Sequence, residues 1–183
     1  MDTPRIPVSS IMARWNSADQ AVDLVIDGTA VIDIVDIQRH WGVSPFARRF
    51  SRAAVHQWLT DYRGAYGDRD ERLSGEELEI TVCRACGDMD CGNLAVEVEM
   101  TADTVTWRRP HWAGDDDEND DEPDANDPES LFPQLLVFNR VQYDTALIDA
   151  ERFIARSRWR RQEPEAAIWL DRLRNRFMRL WNK

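Results

Sequence analysis

Three cysteines stand close together in the middle of the chain, in the order Cys83-x2-Cys86-x4-Cys91. Thiolates are preferred zinc ligands, and three of them beside a glycine-containing turn can occupy three corners of a tetrahedral site. The fourth ligand would be His111, Asp88, Asp90 or a histidine from elsewhere in the chain. The sequence lacks the second C-x-x-C pair that marks many zinc sites, so unbound thiols and a disulfide remain alternative interpretations.

Other catalytic chemistry has little support in the sequence. The three histidines are scattered along the chain, at His40, His56 and His111. There is no G-x-S-x-G nucleophile elbow, no glycine-rich phosphate loop and no H-E-x-x-H metal motif. We therefore favour a protein without enzymatic activity. The alternative is a metal- or thiol-dependent enzyme, or a redox protein, that uses the three cysteines.

The residues on both sides of the cysteines predict β-strands. Apolar and polar residues alternate over 78–82 and again over 94–100, which is typical of strands with one solvated face. The β-branched and aromatic residues 104–107 predict a return strand. The connection CRACGDMDCGN is too short for a crossover helix, so we predict three antiparallel strands. We call residues 83–91 the cysteine knuckle.

The phase of the first strand bears on the cysteines. Cys83 falls on the opposite face from Ile80 and Val82, because successive side chains of a strand point to opposite faces. Cys83 is therefore not expected to be a simple core residue unless a β-bulge shifts the phase.

The run CGDMDCG at 86–92, followed by LAVEVE and VTW, resembles a family of uncharacterised, chiefly actinobacterial proteins. That family carries a C-G-[DE]-x-G-C turn, a V-x-W strand and a later F-x(4)-Y-x(3)-L segment, matched here by Phe138, Tyr143 and Leu147. The resemblance implies a fold more than a function. Asp90 stands where the family pattern usually has glycine, and aspartate tolerates a left-handed backbone better than most residues.

The first third of the chain predicts a mixture of strand and helix. Residues 21–26 predict a strand that ends at the turn dipeptide Asp27-Gly28. Residues 30–37 fit either a short helix, which we favour, or the second arm of a hairpin. Ser51 is suited to be the N-cap of a following helix with apolar residues at helical spacing.

The last third predicts another strand at 135–138 and a helix from Val141 to about Arg158. We therefore predict an α+β fold: a mainly antiparallel four- to five-stranded sheet with helices on one face and a C-terminal helical extension. The predicted organisation is an α+β domain over 1–158, with an acidic mobile loop at 113–130, and a basic amphipathic C-terminal helix over 159–183.

Charge is distributed unevenly along the chain, which has a net charge of -11. Residues 1–150 contain 30 acidic and 13 basic side chains, whereas residues 151–183 contain 4 acidic and 10 basic ones. An acidic body disfavours nucleic-acid binding, which depends on neutralising phosphates, and it suits a basic protein partner. The chain contains no run of about 18 apolar residues, so no transmembrane helix is predicted. The N-terminus lacks the apolar core of a signal peptide, so we expect a cytoplasmic protein.

Two segments are predicted to make contacts. We expect a non-enzymatic binding protein of the immunity or antitoxin type, which covers a basic partner with acidic side chains. These are Asp115, Asp116, Asp117, Glu118, Asp120, Asp121 and Glu122. The C-terminal helix carries an apolar stripe of Trp169, Leu173, Phe177 and Trp181. This stripe fits docking on the protein's own body, an interface with a second subunit or partner, or binding to an anionic membrane, in that order of preference.

Overall fold

A mixed β-sheet forms the centre of the structure, a computed structural model that describes residues 7–35, 42–66, 76–88, 91, 93–113 and 132–157. In chain order the elements are β1 (Val8–Ser9), β2 (Ile11–Asn16), β3 (Ala21–Ile26), β4 (Thr29–Ala30), α1 (Val31–Val35), β5 (Gly42–Val43), α2 (Arg52–Tyr62), β6 (Glu77–Cys83), β7 (Asn93–Met100), β8 (Thr104–Ala113), β9 (Leu135–Asn139) and α3 (Arg140–Arg156). The fold is α+β and consists mostly of strands, as the sequence predicts.

Over these residues the strands form two sheets. The larger sheet has six strands in the order β1-β9-β8-β7-β6-β5, and β1 is parallel to β9 while the other neighbours are antiparallel. A smaller antiparallel sheet has the order β2-β3-β4. The prediction of a single, mainly antiparallel sheet with four to five strands is therefore wrong. The large sheet has six strands, and the prediction did not include a second sheet. The edge strands β1 and β5 contain two residues each, which is too short for a periodic sequence signal.

The predicted hairpins around the knuckle are confirmed. β6 pairs with β7 and β7 pairs with β8, both antiparallel. The turn from β7 to β8 closes where the Thr101 backbone N–H donates to the Thr104 carbonyl at 2.9 Å. The Thr101 hydroxyl also accepts from the Thr104 N–H at 3.0 Å. The strand predicted at 135–138 is β9, which adds to the free edge of β8.

A β-bulge in β6 changes the phase of that strand. Glu79 pairs with Ala95 and Thr81 pairs with Leu94, so Ile80 is an extra residue without a partner of its own. The bulge precedes Val82, so Val82 and Cys83 still point to opposite faces, and both are buried because both faces of this part of β6 are covered. Cys83 is 8% exposed and belongs to the buried residues.

A second bulge lets β8 continue past a proline. Ala95 pairs with His111 and Glu97 pairs with Arg108, so Arg109 and Pro110 together stand opposite one residue of β7. Arg109 has a φ of 49°, in the left-handed region, and its N–H donates to Gln134 at 3.3 Å. The sequence predicts this strand over 104–107 only. In the structure β8 extends to Ala113, because the bulge places Pro110 where no N–H is needed for the hydrogen-bond ladder.

The core is organised around Trp107, which is 1% exposed. Its ring contacts Phe138 at 5.2 Å, Tyr62 at 6.0 Å and Tyr143 at 6.2 Å between centroids, all in edge-to-face geometry. Phe46 extends the cluster through Tyr62 at 5.1 Å. Edge-to-face aromatic pairs add about 0.5–1.5 kcal/mol each to the effect of burial. The cluster joins β8 and β9 to α2 and α3 across the face of the large sheet.

Both longer helices begin at a capping side chain, of which Ser51 was predicted and Asn139 was not. Ser51 accepts from the Ala54 N–H and caps α2, while Asn139 accepts from the Gln142 N–H and caps α3. The alternatives left open for residues 30–37 are both partly realised. Asp27-Gly28 turns β3 into the short strand β4, and the helix α1 follows directly. None of the helices in the described ranges is long and apolar enough to cross a membrane.

Several predictions fall on residues that are not described. The acidic segment with its interaction residues 115–122 and the C-terminal helix with its stripe 169–181 lie outside the described residues. The division into domains at 158 also stays a prediction.

Replacing Trp107 with alanine should lower the free energy of unfolding by about 3–5 kcal/mol, because it removes the ring that three other aromatic side chains contact. The matched control is Val141→Ala, because the Val141 side chain is 73% exposed. This substitution should change the free energy of unfolding by no more than about 0.5 kcal/mol. Urea unfolding of both variants measures the difference. Similar losses in the two variants would contradict the assignment of Trp107 to the centre of the core.

Candidate metal centre

The three cysteine side chains converge at one end of the large sheet. Their Sγ atoms all lie within 4.8 Å of one another, and those of Cys86 and Cys91 are 3.4 Å apart. A Zn–S bond of about 2.3 Å places two sulfurs of a tetrahedral site about 3.8 Å apart. The spacing of the thiols therefore matches a metal site. All three cysteines are free thiols, so the disulfide considered from the sequence is not formed in the structure.

Backbone N–H groups of the knuckle point at the sulfurs. The Asp88 N–H donates to Cys86 Sγ at 3.4 Å. Partial burial of Cys83 acts to raise its pKa, but N–H donors from Cys86 and Ala85 to its sulfur outweigh burial and lower the pKa to about 7. Hydrogen bonds to Cys86 and then to Cys83 raise the pKa of Cys91 to about 12. The backbone hydrogen bonds of the knuckle thus favour negative charge on the Cys83 sulfur.

The turn of the knuckle depends on Gly87. Its φ of +74° lies in the left-handed region, and its N–H donates to the Cys83 carbonyl at 2.9 Å. A Cβ atom built on Gly87 would lie 2.9 Å from Phe50 and 3.3 Å from Trp58. The backbone of the knuckle therefore packs directly on two aromatic rings, which themselves make an edge-to-face pair at 5.2 Å.

A buried polar network lies beneath the knuckle. The side chain of Asn93 is fully buried, accepts from the Cys83 backbone N–H at 2.7 Å, and donates to the Glu79 carboxylate and the Gly87 carbonyl. Trp58 Nε1 donates to the other oxygen of Glu79 at 2.7 Å. The network connects β6, the turn of the knuckle at Gly87, and α2. It supplies both oxygens of a buried carboxylate with a donor, as burial of charge requires.

Residue Arg84, inside the C-x-x-C segment, ties the knuckle to the small sheet. Its guanidinium forms an ion pair with Asp19, in the turn between β2 and β3, and donates to the Gly42 carbonyl at 3.3 Å. The carbonyl of Arg84 accepts from the Arg49 guanidinium. On the neighbouring strand, Gly42 pairs with Cys83. The first half of the knuckle is thus held by Asp19, Gly42 and Arg49.

The structure does not bring His111 to the cysteines. His111 Nδ1 lies 2.9 Å from the Arg109 carbonyl, and Nε2 lies 3.7 Å from a Glu77 carboxylate oxygen. Among the described residues, no histidine, aspartate or glutamate joins the three cysteines in a group that could hold a metal. Asp88 is exposed and makes other contacts, and Asp90 lies outside the described residues. The fourth ligand is therefore unassigned.

Sequence reasoning missed the residues that position the cysteines. It placed Glu79 and Thr81 on a solvated face, but they are 9% and 5% exposed, and α2 packs against β6 at Glu79. The helix supplies Trp58 as a donor to Glu79. The only local signal was Asn93, a poor strand former that precedes three apolar residues at the start of β7.

The cavity lined by Asp23, Ser44 and Tyr62 lies away from the cysteines, between the two sheets. Its volume of about 10 Å³ admits one water molecule at most, so it is not a substrate pocket. Burial raises the pKa of the Asp23 carboxyl, against a lowering hydrogen bond from Asn16. A water there would solvate a carboxylate that is only 4% exposed.

Comparison of this chain with protein-family models, with curated proteins and with solved structures finds no match.

Gly87→Ala should destabilise the protein more than Gly28→Ala. Both substitutions force an alanine into positive φ, which costs about 1–2 kcal/mol, but Gly28 has no atom within 4 Å of the added Cβ. Only the change at Gly87 also pushes against Phe50 and displaces the knuckle. Urea unfolding and metal titration of the two variants measure the difference. Equal stability and equal metal affinity would show that the turn does not depend on this packing.

Proposed function

We propose that this chain is a zinc-binding protein in which Cys83, Cys86 and Cys91 hold the ion. The observation that carries the proposal is the convergence of three free thiols within 4.8 Å of one another. Three thiolates match the softness of zinc better than that of magnesium or calcium, which take oxygen ligands. The N–H groups around the sulfurs compensate part of the negative charge that the thiolates would bring.

The role of the metal is structural. An ion held by three thiolates closes the knuckle on itself and fixes the end of the hairpin formed by β6 and β7. The buried network of Asn93, Glu79 and Trp58 orients the backbone rather than offering a group to a substrate. The chemistry that zinc supplies here is the cross-linking of thiolates.

Purified protein should carry about one equivalent of zinc by elemental analysis, and a strong chelator should lower its melting temperature. Replacing any one of the three cysteines with serine should remove most of the bound zinc. His111→Ala is the matched control and should leave the zinc content unchanged, because the ring contacts Glu77 and not the thiols. Protein that contains no metal, and melts at the same temperature with and without chelator, would contradict the proposal.

Alongside this site, we propose that the protein binds a basic protein partner without acting as an enzyme, in the manner of an immunity protein or antitoxin. The support is the net charge of -11, concentrated before residue 150. The acidic residues 115–122 follow soon after Ala113, whose partner in the sheet is Asn93. Ala113, the last residue of β8, lies at the end of the sheet where the cysteines are.

Deleting residues 115–129 and joining the ends with a short Gly-Ser linker should leave the melting temperature nearly unchanged, because loop closure depends weakly on loop length. Binding to a basic partner, recovered by cross-linking from cells, should weaken and lose its dependence on salt. A matched deletion control keeps the length but replaces the acidic residues with serine and asparagine. Binding that is insensitive to both changes would contradict a role for the acidic segment.

A further inference from the structure

We propose that Cys86 and Cys91 form a site of reversible oxidation, at which a hydroperoxide converts the two thiols into a disulfide. Their Sγ atoms are 3.4 Å apart and both residues are exposed. A disulfide requires about 2.05 Å between the sulfurs, so only a small rearrangement of the turn is needed. The formation of the disulfide does not depend on the proposed zinc site, whereas the release of zinc described below rests on it.

The third cysteine is held out of this reaction by its surroundings. Cys83 is buried, its backbone pairs with Gly42 at the end of β6, and its N–H is bonded to Asn93. Cys86 and Cys91 lie beyond the end of β6, and neither residue is paired in a sheet ladder. Of the three pairs that could form, the exposed pair is therefore the one that oxidises.

The reaction proceeds in two balanced steps. The Cys86 sulfur attacks one oxygen of the hydroperoxide, the O–O bond breaks, and Cys86 becomes a sulfenic acid while the departing oxygen leaves as water or an alcohol. The Cys91 sulfur then attacks the Cys86 sulfur, the S–O bond breaks, and hydroxide takes the remaining thiol proton and leaves as water. Two thiols and one hydroperoxide thus give one disulfide, one water, and one alcohol or a second water.

Oxidation would remove two of the three thiolates that hold the proposed zinc ion. A disulfide sulfur is not a thiolate and no longer binds zinc well, so the ion is released. A dithiol reductant attacks the exposed disulfide, restores both thiols and allows zinc to bind again. The knuckle would then respond to the oxidation state of its surroundings by exchanging a metal cross-link for a covalent one.

Tryptic digestion after hydrogen peroxide treatment tests the pairing. Cleavage after Arg84 and Arg108 leaves Cys86 and Cys91 in one peptide and Cys83 in the preceding one. The proposal predicts a single peptide lighter by two hydrogen atoms, which regains its mass on treatment with dithiothreitol. A cross-link between the two peptides, or sulfinic acid at Cys86 with no disulfide, would overturn it.

Matched variants sharpen the assignment. Cys83→Ser should still form the disulfide, whereas Cys86→Ser and Cys91→Ser should lose it completely. The digestion is carried out on metal-free protein and on zinc-loaded protein, with a chromogenic chelator reporting released zinc. Full zinc loading with no disulfide would overturn the oxidation site and leave the proposed function standing. A disulfide in protein that never binds zinc would support the oxidation site while contradicting the proposed function.

Discussion

The buried amide of Asn93 holds together the three parts of the chain on which the cysteine knuckle depends. Its oxygen fixes the Cys83 backbone, and its nitrogen reaches both the Glu79 carboxylate and the Gly87 carbonyl. Because Asn93 is fully buried, water cannot take the place of its side chain. Removing the amide would deprive each of these three groups of its hydrogen bond to Asn93, at a cost of about 1–3 kcal/mol per group. Asn93 thus helps to position the thiols relative to the sheet, together with the contacts of Arg84 and Gly87.

The same network connects the knuckle to the hydrophobic core. Trp58 donates to Glu79 on one side, contacts the backbone at Gly87 on another and packs edge-to-face on Phe50. The helix that carries Trp58 also carries Tyr62, which contacts Trp107 at the centre of the core. The core is large enough to support the sheet without a metal, so a metal held at the proposed site would add local order to a scaffold that is already packed. Removal of such a metal would not be expected to unfold the whole chain, as it unfolds small zinc domains.

The cysteine knuckle and the end of β8 lie at one end of the large sheet. The knuckle follows β6 and precedes β7, and Ala113, the last residue of β8, pairs with the first residue of β7. In sequence, the acidic segment begins two residues after Ala113. Metal binding, thiol oxidation and partner binding are three separate proposals, of which the first two involve the same cysteines.

The sequence by itself determined the features that depend on neighbouring residues. Alternation along 94–100 predicted β7, Ser51 is the predicted cap of α2, and Cys83-x2-Cys86 has the spacing of a metal knuckle. The aromatic residue of the predicted return strand, Trp107, lies in the core. These signals are local because side-chain period, capping and C-x-x-C geometry involve residues within a few positions of one another.

Only the tertiary structure decided which residues meet across distant parts of the chain. The two-residue strands β1 and β5 form by pairing with the edges of the longer strands β9 and β6. They are too short to have a periodic sequence pattern of their own. Glu79 is buried because α2 covers it, and His111 contacts Glu77 because a bulge at Arg109 sets the register of β8. Such pairings depend on contacts between residues far apart in sequence, which the local pattern does not encode.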